Sequence, residues 1–183
     1  MYRIFNTHEQ AAQFTAHLLQ DFISQRPAGV LGLATGGTME PVYAHLIELI
    51  KQHNTSLEQL TTFNLDEYVG LSRTHPQSYY HYMQEHLFAH LPSCPDSINL
   101  PNGCATDLEQ ECRRYTAAIR SHGGLDLQLL GVGSNGHIGF NEPHTAFNSI
   151  THVVELSEQT RLDNGRFFDN FEEVPTQAIT MGI

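Results

Sequence analysis

The chain has 183 residues, with 20 acidic against 9 basic side chains and a formal net charge of −11. That balance argues against a nucleic-acid surface, whose affinity comes from lysine and arginine, but not against a small anionic substrate in a locally positive pocket. At 40% hydrophobic and 16% charged residues, with 14 glycines and 8 prolines, it can bury a core, which sets aside disorder, collagen and coiled coil.

In chain order, Thr7 with Gln10 three residues on forms a capping-box pattern. Phe14, Leu18, Leu19 and Phe22 then keep helical spacing to about Gln25, where Arg26-Pro27-Ala28-Gly29 breaks it. VLGLA (30–34) reads as a short buried strand, followed by the turn Thr35-Gly36-Gly37-Thr38 and a helix to about His53. TTFNLD (61–66) reads as a second strand ending on a carboxylate, and 78–91 as a helix followed by the loop prolines Pro92, Pro95 and Pro101. Thr106 and Glu109 suggest another capping box, opening a helix through about Ser121. LDLQLLGV (125–132) is the clearest buried strand, with HVVEL (152–156) and QAITMGI (177–183) as further ones. Alternating helices and strands predict an α/β fold, a mostly parallel sheet flanked by helices, in one domain spanning 1–183. The apolar run at 177–183 lacks a closing helix, so either a strand ends the domain or the sheet is incomplete at its C-terminal side.

Three cysteines, Cys94, Cys104 and Cys112, without a C-x-x-C pair, give neither a disulfide framework nor a zinc knuckle and fit a reducing cytoplasm. No stretch reaches the ~20 apolar residues of a membrane span, and the N-terminus has no signal-peptide pattern. The expectation is a cytoplasmic protein without membrane or nucleic-acid partners.

In open α/β sheets, ligands bind beyond the carboxyl ends of the strands, and three loops here leave such ends. Thr35-Gly36-Gly37-Thr38 can turn its amides toward an anion, although it lacks the G-x-x-x-x-G-K-[ST] spacing of a nucleotide-binding loop. A plain structural turn would use the same glycines. Asp66-Glu67 offers one carboxylate as a general base on a sugar C–H and a second held by hydrogen bonds; a solvated loop is the alternative. Gly131-Val132-Gly133-Ser134-Asn135-Gly136 matches G-x-G-x-x-G, yet it runs into His137-Ile138-Gly139-Phe140-Asn141-Glu142-Pro143 instead of a helix, so a dinucleotide site is rejected. It reads instead as a loop presenting His137 beside Glu142, where a carboxylate can set the tautomer of an imidazole. His86 and His90 lack the glutamate of H-E-x-x-H, so no metal site is assigned. Tyr79, Tyr80 and Tyr82 read as packing, and one of Arg161 and Arg166 is a good clamp if the substrate is a phosphate monoester.

Together and in this order, TGGT, FNLDEYVGL followed by HPQSYY, GVGSNGHIGFNEP and TRLDNGRFF resemble the glucosamine-6-phosphate deaminase (isomerising) family over about residues 3–183. The resemblance implies a Rossmann-like fold and conversion of glucosamine 6-phosphate and water to fructose 6-phosphate and ammonia, without cofactor or metal, with assembly of like subunits. It makes Asp66 the enolisation base and His137 the ring-opening acid/base. Asn135 and Glu142 become the residues that assist His137, and Thr35, Gly36, Gly37, Thr38 and Arg166 the phosphate contacts. Similar proteins continue past 183 with a strand, helices and a phosphate-binding lysine. Three alternatives share parts of the pattern. A 6-phosphogluconolactonase would carry D-G-H-x-A-S-L-F-P after the glycine loop. Galactosamine-6-phosphate deamination is not separated by these motifs, and a non-catalytic sugar-phosphate sensor would use the same fold.

Overall fold

The computed structural model describes residues 2–183. Helix α1 (His8–Gln25) starts on Thr7, whose side chain accepts from the amide of Gln10, a cap worth about 1 kcal/mol. The Gln10 side chain reaches back to the amide of Asn6 rather than to Thr7, a box shifted by one residue. Ala12, Ala16, Leu19 and Ile23 form its buried stripe, whereas Leu18 is half exposed, so the apolar face is rotated from the expected one. Strand β1 (Val30–Leu33) is buried throughout. Its start is fixed by Asp126, which accepts from the amide of Val30 at 2.9 Å and from the Arg26 guanidinium at 2.6 Å.

Helix α2 (Glu40–His53) begins at Glu40, after Met39, one residue later than a turn ending at Thr38 would suggest. Strand β2 (Thr61–Asn64) stops before Asp66, and β3 (Asp66–Tyr68) begins there as a separate strand. The single strand 61–66 is therefore corrected to two. Leu65 is the switch point, donating to Leu33 of one sheet while its carbonyl accepts from Met181 beside the other. Helix α3 (Tyr79–His86) is capped by Ser78 and gives way to a 3-10 turn at Phe88–His90, shorter than the expected 78–91. After β4 (Ser97–Asn99), helix α4 (Leu108–Ser121) is capped by Asp107 rather than Thr106; Asp107 accepts from Gln110 at 2.8 Å and is an equally good cap one residue on.

Strand β5 (Leu127–Gln128) is two residues long and half-buried, against the expected eight. It lies at an edge with β1 on one side only, and the ladder extends just to Leu129, which donates to Gly32. Strands β6 (His152–Glu155) and β7 (Gln177–Thr180) flank the eight-residue helix α5 (Glu158–Gly165).

The sheet of β4-β2-β1-β5 is wholly parallel, as expected, but β3-β7-β6 form a second, antiparallel sheet. Because β7 is central there, with neighbours on both edges, its residues Ala178, Ile179 and Thr180 are fully buried, which accounts for the apolar pair within the run at 177–183. The main core joins α1, α2, β1, β2 and α3 with Tyr115 of α4, and a smaller cluster of Tyr68, Phe140, Leu156 and Ala178 lies at the second sheet. None of the helices is long and apolar enough to cross a membrane among the described residues.

Candidate active site

The strands β2, β1 and β5 are neighbours in one parallel sheet, so the loops leaving their carboxyl ends emerge side by side. They enclose a cavity of about 210 Å³ lined by Thr35, Gly36 and Thr38, by Asp66, and by Gly133 and His137, with Tyr79 and Phe140 as walls. Gly37, Asn135 and Glu142 do not line it. Arg166 lines an adjoining cavity of about 260 Å³, which shares Gly36, Tyr79 and Asn164 with the first.

Asp66 starts β3, opposite Thr180 of β7, and is 6% exposed. The chain at Gly139 crosses directly over it: a Cβ there would lie 3.2 Å from Asp66 Oδ2 and 3.0 Å from Thr180 Oγ1, and φ is +59°. Only glycine suits both the space and the backbone. Burial pushes the Asp66 carboxyl up to about 8, and the adjacent Glu67 adds to the shift. Glu67 points to the opposite face of the strand. Its Oε1 accepts from the amides of Tyr68 and Tyr79 at 2.9 Å each, and Oε2 from Tyr80 at 3.0 Å. Burial lifts Glu67 to about 7, and those three donors and Arg73 resist the rise. Of the two, Asp66 holds its proton to higher pH.

His137 is set by a relay. Its Nδ1 lies 2.7 Å from Asn135 Oδ1, and Asn135 Nδ2 donates to Glu142 Oε2 at 2.9 Å. Glu142 Oε1 accepts in turn from the hydroxyls of Ser157 and Thr160. Burial would raise the Glu142 carboxyl, but Thr160, Asn135 and Ser157 outweigh it and hold the carboxyl below its ordinary value. An ionised carboxylate only accepts, so the amide end of Asn135 faces Glu142 and its oxygen faces His137. Nδ1 therefore donates to Asn135, and Nε2 is the ring nitrogen left for proton traffic. Asn135 cannot pass a proton on, so the relay orients the ring. The glycine loop opens no helix; the chain turns back through a bridge between Ile138 and Asn141.

The Thr35–Thr38 turn leaves its amides unclaimed: among the described residues none donates to a backbone carbonyl. Gly36, at φ +107°, makes the turn, and its carbonyl accepts from Met39 N at 2.8 Å and from the Tyr82 hydroxyl at 2.9 Å. The two arginines divide. Arg161 is committed to the carbonyls of Val174 and Phe171 and to the Phe171 ring, whereas Arg166 stacks on Phe167 at 4.7 Å beside the second cavity.

Tyr79 was expected only to pack. It stacks on Phe140 at 6.0 Å and 12°, meets Tyr68 at 4.9 Å, and separates the two cavities. Its position at the start of α3, three residues before Tyr82, was the available signal, since residues three apart share a helix face. Among the described residues no group of three or more His, Cys, Asp or Glu could hold a metal ion.

Gly133 lies under the His137 ring, and a Cβ there would fall 2.1 Å from its Cε1. Gly133→Ala is expected to tilt the imidazole out of the cavity and cut turnover by about a hundredfold, the range of a displaced acid/base group. In a half-buried loop the melting temperature should stay nearly native, and full activity would contradict the placement.

Residues 6–154 match the profile of the family described as glucosamine-6-phosphate isomerases/6-phosphogluconolactonase. The chain is 52% identical over 176 residues to a glucosamine-6-phosphate deaminase of Geobacillus sp. (strain WCH70), covering 96% of this chain and 70% of that one. It is 52% identical over 177 residues to glucosamine-6-phosphate deaminase 1 of Bacillus subtilis (strain 168), covering 97% and 73%. A solved structure described as a monomeric glucosamine-6-phosphate deaminase of the NagB superfamily superposes with a TM-score of 0.93 at 51% identity, over 98% of this chain and 74% of that one. At half its positions identical over nearly its whole length, with the same fold, the chain belongs to the glucosamine-6-phosphate deaminase family.

Proposed function

We propose that the chain converts glucosamine 6-phosphate and water to fructose 6-phosphate and ammonia, a hydrolase acting on an amino sugar phosphate in the cytoplasm. The observation that carries the reading is one cavity lined by Asp66, His137 and the Thr35–Thr38 turn. The free amides of that turn suit the phosphate. His137 Nε2 takes the proton of the C1 hydroxyl and delivers one to the ring oxygen, opening the sugar. Asp66 then removes the C2 proton and returns one to C1, through an enolamine, leaving an imine at C2. Water adds to that imine and ammonia leaves, so the atoms balance without oxidant or reductant.

The phosphate supplies binding energy away from the reacting carbons and holds them over Asp66. Arg166 closes on it from the adjoining cavity, since a guanidinium grips phosphate through two parallel bonds. Arg166→Ala is expected to raise KM about tenfold or more with a smaller change in kcat, because a charged hydrogen bond is lost in ground and transition state alike. A native KM would remove Arg166 from the phosphate site.

Residues 1–183 act in this reading as one deaminase domain. Assembly of like subunits stays an expectation of the resemblance, and the site as described draws on one chain only. Asp66, His137 and Glu142 standing together favour catalysis over a sugar-phosphate sensor. The test is ammonia release by the 183-residue chain from glucosamine 6-phosphate and, in parallel, galactosamine 6-phosphate. Equal amounts of ammonia and fructose 6-phosphate are expected from the first; binding without release would support the sensor.

A further inference from the structure

Asp66 and the Thr35–Gly36 turn belong to different elements, and something must hold their spacing. Glu67 is 3% exposed, next to Asp66 on β3, and faces away from the cavity into the first turn of α3. It accepts from the amides of Tyr79 and Tyr80, the first two residues of that helix, and from Tyr68 on its own strand. These amides have no partner within the helix. One carboxylate thus fastens α3 to the strand that carries Asp66.

The other end of the connection lies on the same helix. The Tyr82 hydroxyl donates to the carbonyl of Gly36 at 2.9 Å, and the Tyr79 side chain lines the same cavity wall as Thr35 and Gly36. Tyr79 and Tyr82, three residues apart, face the turn together. We propose that Glu67 is a positioning residue: by gripping the start of α3 it fixes Tyr79 and Tyr82, which hold the Thr35–Gly36 turn at a set distance from Asp66. The proposal rests on the deaminase reading for its consequence in turnover, and on the hydrogen bonds alone for its geometry.

A glutamine at 67 keeps one acceptor for Tyr68 and Tyr79 but turns an NH2 toward the Tyr80 amide, which already donates. It also removes the negative charge beside Asp66. The groups facing Glu67 are Asp66 and Tyr68 on β3, Tyr79 and Tyr80 on α3, and Arg73 in the intervening loop. Tyr68, Tyr79 and Tyr115 around Asp66 are buried and pushed up, so they stay neutral through the range in question. Glu67 is then the neighbour on β3 whose charge opposes ionisation of Asp66.

Three variants separate the parts. In Glu67→Gln, KM for glucosamine 6-phosphate should rise about tenfold with kcat within about threefold, as expected for a loosened binding turn. The acidic limb of its pH–rate profile should move to lower pH. Glu67→Asp keeps the charge but is one methylene short, so the limb should return to its native position while KM stays raised. Tyr82→Phe should raise KM about threefold, one neutral hydrogen bond, with no shift of the limb. Hydrogen exchange of the segment 35–39 reads the geometry without turnover, and should quicken in both Glu67→Gln and Tyr82→Phe. Native exchange and a native KM in Glu67→Gln would overturn the proposal. Should that variant fail to fold, unchanged exchange at 35–39 in Tyr82→Phe overturns it instead. If the parent chain releases no ammonia, the deaminase reading falls, and the exchange data alone decide whether Glu67 positions the turn.

Discussion

In Asp66→Asn, exchange of solvent hydrogen into C2 of glucosamine 6-phosphate is expected to stop, with turnover down by about a thousandfold and sugar-phosphate binding retained. The amide has the shape of the carboxylate but cannot take a proton. The same variant should be more stable than the parent at alkaline pH. A carboxyl whose folded value lies near 8, against an ordinary 3.8, binds its proton more tightly in the folded state. The stability this gives is complete below the unfolded value and is lost as pH rises from about 4 to about 8. Asparagine has no proton to lose, so above pH 8 the variant should exceed the parent by an amount on the order of a few kcal/mol, and match it near pH 4. Turnover of the parent should rise over the same interval, since the base works only when unprotonated. Unchanged C2 exchange in Asp66→Asn would falsify the mechanism. Equal stabilities at pH 9 would show instead that the carboxylate is better solvated than its surroundings indicate.

The second large effect falls on His137→Gln. Loss of the Nε2 lone pair should slow attack on the closed-ring sugar by about a hundredfold, yet leave an acyclic analogue within about threefold of native. That difference isolates ring opening from the C2 proton transfer, because only the cyclic substrate needs both. Equal losses on the two substrates would remove His137 from ring opening. The side-chain NH2 of glutamine can still donate to Asn135 Oδ1, as His137 Nδ1 does, so gross rearrangement of the loop is not the expected cause.

Much of this was legible in the residues. Thr7 and the buried VLGL and TTFN runs marked a helix start and parallel strands, since capping and hydrophobic runs act within a few positions. The placement of three chemical loops at neighbouring strand ends followed from the parallel order. What the sequence could not show was the break at Leu65, because FNLDEY is continuous in character and only contacts with Leu33 and Met181 divide it. The shortness of β5 depends on having one neighbour, a fact of topology. Tyr79 looked like any half-buried aromatic until Thr35, Tyr68 and Phe140 gathered around it. The burial of Asp66 has the same origin: Gly139 and Thr180, remote in sequence, close it off.

The pairing of Asp66 with Thr180 also orders events on the ribosome. Strands β1, β2 and β4 with α1–α2 can settle from the first hundred or so residues emerging, where contacts are comparatively local. The acid at 66 then waits, solvated and ordinary, until β7 (Gln177–Thr180) has been synthesised and inserts between β3 and β6. A nascent chain released early would keep a folded half, but its aspartate would have neither lid of glycine nor threonine neighbour. Chemical competence thus waits on β7 rather than on the strands that form the parallel sheet.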